Sequence, residues 1–244
     1  THVVLTGQEL DVGKKKTRGL VQELGAGYWD TLAAIAKGQD PKVKAPKPLK
    51  KLVEDAEQRD AAAWIERRAP KLKSGARQLE RDAERVDVGA AQLKALGEAF
   101  EGYRAGLNAE GKQALKGYWV TDAVAVTSGT RSVGRPRYRA LVEGPKGSEP
   151  VILQWKAQEA AALERVAPGG RQFASPAKRG LAIGDVLDGG LDPYRGVATT
   201  KKGGPEFLVE RVRASDATLH VDDLADPDDF AEVIAFYAGQ TAKA

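Results

Sequence analysis

DAVAVTSGTRSVGRPRYRALVEGPKGSEPVILQWKAQEAAALE, residues 122–164, alternates strand formers with glycine turns. Ala123–Thr127 is short, small and apolar, which predicts a strand. Ser128-Gly129-Thr130-Arg131-Ser132-Val133-Gly134 is a loop bracketed by glycines. Arg137–Glu143 alternates and carries Tyr138, Leu141 and Val142, which suits a second strand. Gly144-Pro145-Lys146-Gly147-Ser148 is a turn by composition. Val151–Lys156 is the most strand-like run in the chain, and it ends on a lysine. Ala157–Val166 then switches to helix formers, with Pro168-Gly169-Gly170 as a stop.

Strand, glycine loop, strand, turn, strand, lysine, helix with glutamate: this is the order in which a kinase-like small lobe holds ATP. Glycines let backbone N–H groups approach phosphate oxygens, because no Cβ stands in the way. On this reading Gly129, Ser132 and Gly134 form the cradle. Lys156 brings positive charge to the phosphates, and Glu159 or Glu164 orients it. Arg131 stands where G-x-G-x-x-G would have its central glycine, and it adds a cation beside any phosphate. The distance from Gly134 to Lys156 leaves room for one hairpin. The competing reading is a plain hairpin with a solvated lysine, and the spacing alone fits both.

The runs SGTRSVGRPRYRALVEG, ILQWKAQEAAALE and EFLVERVRASDATLHVDDL resemble the bacterial DUF2252 family, a domain of unknown function. Members read like a Gly-x-Gly-Ser-x-Gly loop, a Leu-Gln-x-Lys-Glu-Ala strand end and a Tyr-or-Phe-x-x-Arg-x-Leu strand. Gly129, Ser132 and Gly134 match the first, Leu153, Gln154 and Lys156 the second, and Phe207, Glu210 and Arg211 the third. The resemblance implies a kinase-like phosphotransferase with permuted motifs, binding ATP with Mg²⁺ and acting on an unknown acceptor. It also implies Gly-Asp-x-His-x-x-Asn-like and Asp-Phe-Asp-like segments upstream of this region. Those segments are not in the sequence, and its one asparagine is Asn108. Ala157 stands where the family has Glu after the lysine. Phosphoryl transfer needs a positioning Asp and metal-holding Asp or Asn groups, so no catalytic residue is assigned.

Composition narrows the classes. The chain has 244 residues, of which 42% are hydrophobic and 30% charged, which predicts a soluble globular protein. No run is long enough to span a membrane, and no signal peptide is evident, so a cytoplasmic location is expected. Cysteine is absent, which excludes disulfides and thiolate chemistry. His2 and His220 are the only histidines and lack ligand spacing. Methionine is absent and the chain begins at Thr1, as a fragment would, or a sequence that has lost its methionines. Net charge is +4 and pI near 9.1. The lysines at 14–16 and 42–51 carry a weaker reading, association with nucleic acid. Runs of this kind are ordinarily solvated faces, so a nucleic-acid partner is not expected.

The rest of the chain organises into an α+β protein. Residues 1–117 read as a helical N-terminal region. Its parts are a helix at 14–37 with Leu20, Val21, Leu24, Tyr28, Leu32 and Ile35 as its stripe, a helix at 49–69 and a helix at 89–107. Gln39–Pro48 is a Pro- and Lys-rich linker. Residues 118–244 read as a kinase-small-lobe-like antiparallel sheet with a helix. Tyr194–Ala198 and Glu206–Val212 bring the sheet to five strands, and Asp226–Lys243 is a closing helix. Two functions stand at this point. One is a nucleotide-binding module of a phosphotransferase. The other is a non-catalytic scaffolding module with the same fold.

Overall fold

The structure is a computed structural model that describes residues 12–127, 134–160, 173–188, 190, 192–200, 204–224 and 226–243. In chain order the elements are α1 (Lys14–Ala36), α2 (Lys47–Glu57), α3 (Ala61–Arg68), β1 (Arg85–Asp87), α4 (Ala90–Gly106), α5 (Ala109–Ala114), β2 (Trp119–Val126), β3 (Arg137–Glu143), β4 (Val151–Ala157), α6 (Pro176–Asp188), β5 (Gly196–Thr199), β6 (Glu206–Val212) and α7 (Pro227–Lys243). The protein is α+β, with an antiparallel sheet in the order β1-β2-β3-β4-β6-β5. Contacts divide it into two compact units, Thr1–Arg59 with Ser215–Ala244, and Asp60–Ala214.

The first unit is helical. Val12, Leu20, Leu224, Phe230, Val233 and Ile234 make its core, with Leu24 and Leu49 against them. Gly27 of α1 lies against α7, where an added Cβ would stand 3.6 Å from the Cβ of Ala238. The apolar stripe of α1 is narrower than the sequence pattern: Val21 and Ile35 lie to the side of it and stay exposed.

The single helix expected over 49–69 is two helices. It breaks because the Asp60 side chain accepts hydrogen bonds from the backbone N–H groups of Ala62, at 2.8 Å, and Ala63, at 3.2 Å. That is an N-cap, which starts α3 afresh. Arg59 turns away and donates to the carbonyl of Asp216 at 3.0 Å. Asp60→Ala is expected to cost the second unit about 1 kcal/mol and Asp60→Asn almost nothing. Urea unfolding of the two variants checks this, and equal effects would refute the cap.

The second unit is built on the sheet. Residues 60–117, read from sequence with the N-terminal helices, pack here. One sheet face is covered by α4 through Leu96, Phe100, Tyr103 and Leu107, which meet Trp155, Phe207, Val209, Ala140 and Val142. The other face is apolar at one end, where Val124, Val126, Leu141 and Ile152 meet Ala69, Leu79 and the flank of α3. Toward its other end that second face becomes polar.

The strands follow the sequence closely. β6 runs over the predicted residues, and β3 and β4 match within a residue. β2 begins earlier, at Trp119, with an irregularity between Val120 and Asp122. β1 is a sixth, edge strand of three residues, too short to show a periodic pattern. Pro176 is the first residue of α6, the position where proline's missing N–H costs nothing.

Candidate functional site

Cross-strand partners share a sheet face. One row therefore runs Val124, Arg139, Gln154, Glu210, and the next runs Arg137, Lys156, Leu208, Val197. The sequence explains why these residues point away from the α4 core. In β3, Tyr138 and Ala140 alternate with Arg137 and Arg139, so the arginines share the opposite face. In β4, Leu153, Trp155 and Ala157 are buried, and Gln154 and Lys156 lie between them.

Lys156 stands near the end of β4, and its side chain is 38% exposed. Its Nζ donates to Glu210 Oε2 at 3.1 Å. Glu210 also accepts from Arg195 Nε at 3.3 Å. Arg195 in turn lies 3.7 Å from Asp185 of α6. This approach needs a glycine: a Cβ at Gly184 would stand 2.8 Å from Arg195 Nε. Arg137 donates from Nε to Gln154 Oε1 at 3.2 Å. Burial pushes the Arg137 guanidinium below its ordinary value, with Glu84 opposing; the group keeps its charge at neutral pH. The face thus carries Lys156, Arg137, Arg139 and Arg195 against Glu210 and Glu206, with Asp185 of α6 beside Arg195.

Gly134 precedes this face by three residues and has φ +76°, a left-handed conformation that glycine adopts without strain. It delivers the chain to Arg137, the register partner of Lys156. Gly129, Arg131, Ser132 and Glu164 lie outside the described residues. Glu159 is described, and it is 2.8 Å from Arg135 instead of beside Lys156. The partner of the lysine is Glu210, 54 residues away in sequence. Sequence reasoning placed Glu210 in the third motif and gave it no role. It also passed over Arg137 and Arg139, for which the i, i+2 spacing in β3 was the available signal.

The family model described as "Uncharacterized protein conserved in bacteria (DUF2252)" matches residues 1–244. The chain belongs to the DUF2252 family. No curated protein and no solved structure matches it. Membership therefore assigns no chemistry to the DUF2252 chain, and its function rests on the face just described. Among the described residues, no helix is long and apolar enough to cross a membrane.

Proposed function

We propose that the sheet unit is a kinase-like nucleotide-binding module that takes the phosphates of ATP on the Lys156 face, as part of a phosphotransferase. One observation carries this reading: a half-exposed lysine at the end of a central strand, held by a carboxylate, beside the strand that the glycine loop leads into. Lys156 then meets a phosphate oxygen as a point charge, and Glu210 orients it. Arg137 adds positive charge from the neighbouring strand. The backbone N–H groups of 128–134 are the cradle in this reading, with Arg131 a further cation. ATP supplies the transferable phosphoryl group. Among the described residues no three His, Cys, Asp or Glu side chains come together to hold a metal ion, so no ligand to Mg²⁺ is assigned. A module of this kind meets ATP in the cytoplasm, where we place it.

Calorimetric titration of the chain with Mg-ATP tests the proposal. Wild type is expected to bind, and Lys156→Ala to lose at least tenfold in affinity. Glu210→Gln is expected to weaken binding by a similar factor, whereas Glu159→Ala stays within about twofold. No heat of binding to a demonstrably folded chain would overturn the reading. It would leave the scaffolding alternative, in which the fold is kept for a partner other than a nucleotide.

A further inference from the structure

A small cavity lies on the same sheet face, toward its apolar end. Trp64, Arg68, Leu79, Glu80, Arg85, Val124, Arg139, Ile152 and Val212 line it, and it has ≈ 10 Å³ of room for a water-sized centre. That is at the lower limit for one water-sized atom, so a bound species could place only a single atom there. Three of the lining residues are arginines. Arg68 donates to Glu80 at 2.8 Å, and Arg85 lies 3.2 Å from the same carboxylate. Arg85 is also paired with Asp82. Asp122, the nearby carboxylate on β2, is taken by Arg81.

Arg139 differs from the other two in having no carboxylate within ion-pair distance among the described residues. Its Nε is buried and meets no hydrogen-bond partner among the described residues, and the same holds for Arg85 Nε. Three guanidiniums face Glu80 and Asp82, which leaves one positive charge in excess (three minus two). Burial pushes the Arg139 guanidinium below its ordinary value, and Arg85, Arg68 and Arg137 push it the same way. Arg139 as a whole is partly exposed, so its charge is only partly withdrawn from water, but an unpaired buried donor calls for an explanation such as a bound water or ion. A water could accept from both N–H groups, but it would leave the charge.

We infer that Arg139, Arg85 and Arg68 form a pocket for one small anion, a halide or a single oxygen of a phosphate or carboxylate group, separate from the Lys156 site. The anion accepts from the two orphaned Nε–H groups and cancels the excess charge. The walls formed by Val124, Ile152 and Val212 strengthen the attraction by excluding water.

The test is thermal melting of the full chain at constant ionic strength, with gluconate replaced stepwise by chloride or by inorganic phosphate. It is done in the Lys156→Ala background, so that phosphate at the lysine does not contribute. A rise in Tm of about 3 °C or more with either anion is expected, and none in the same background with Arg139→Met. A response to both anions assigns a halide-sized site, and a response to phosphate alone assigns an oxyanion site. Should the methionine variant not fold, Arg139→Lys serves: it keeps the charge but loses the fork, and its response is expected to shrink. No anion response with Arg139 intact, or an equal response with Arg139 replaced, would overturn the inference. Neither result depends on whether ATP binds.

Discussion

Trp155→Ala is expected to cost the sheet unit about 3–5 kcal/mol, the range for a large aromatic removed from a closed core. Trp155 is fully buried. Its ring packs against Tyr103, at 6.1 Å between centroids, and against Phe207, at 6.0 Å. It thereby joins α4 to the centre of the sheet, and alanine leaves a cavity that β4, held between β3 and β6, cannot collapse around. Its indole Nε1 has no hydrogen-bond partner among the described residues, so the loss is packing alone. Trp155→Phe should therefore cost much less, below about 2 kcal/mol, because an unpaired buried N–H disappears with the lost volume. Hydrogen exchange at β3, β4 and β6, read together with urea midpoints, separates the two variants. Similar costs for Ala and Phe would mean that the ring's volume is not what holds α4 on the sheet.

Asp122→Ala is the second large effect, about 3 kcal/mol, the lower end of the range for breaking a buried ion pair. The Asp122 side chain is 14% exposed and that of Arg81 23%. Asp122 accepts from Arg81 Nη1 at 2.5 Å, from Arg81 Nη2 at 2.7 Å and from the Leu79 backbone N–H at 2.7 Å. Its hydrogen bonds to Asp122 raise the Arg81 guanidinium above its ordinary value, against an opposing effect of burial. Alanine leaves that guanidinium with Asp87 as its one carboxylate and the Leu79 carbonyl as its other acceptor, and it orphans the Leu79 N–H. Adding Arg81→Met to Asp122→Ala should recover at least about 1 kcal/mol, because the uncompensated charge goes with it. A cost under about 0.5 kcal/mol for Asp122→Ala would place the pair among solvated surface bridges. The anchor has a wider consequence: it holds Leu79 and Glu80 over the arginine cavity, so the same substitution should weaken the anion response.

The strands were legible where local chemistry and burial agree. Val151–Ala157 and Glu206–Val212 are β-branched and apolar enough to be strands in any context, and both are strands of the antiparallel sheet. The α3 boundary was legible in principle too. Asp60 before three alanines is a capping signal, but the apolar spacing across it suggested one continuous helix.

Lys156 was named from its place at a strand end, and its partner was not. A sequence shows which glutamates are near in the chain, so Glu159 and Glu164 were the natural choices. The register of β4 on β6 sets Glu210 one step along from Leu208, opposite Gln154 and beside Lys156, and register is a property of the assembled sheet.

By itself, then, the sequence determined five of the six strands among the described residues, the lysine at the strand end and the family. Hydrophobic period, turn residues and short motifs are local, and each needs only a few neighbours to be read. Tertiary structure alone decided which carboxylate meets Lys156, which arginines share its face, and that α3 to α5 belong with the sheet. These are pairings between residues dozens of positions apart. They are made by strand register and by helix packing, to which no local pattern refers.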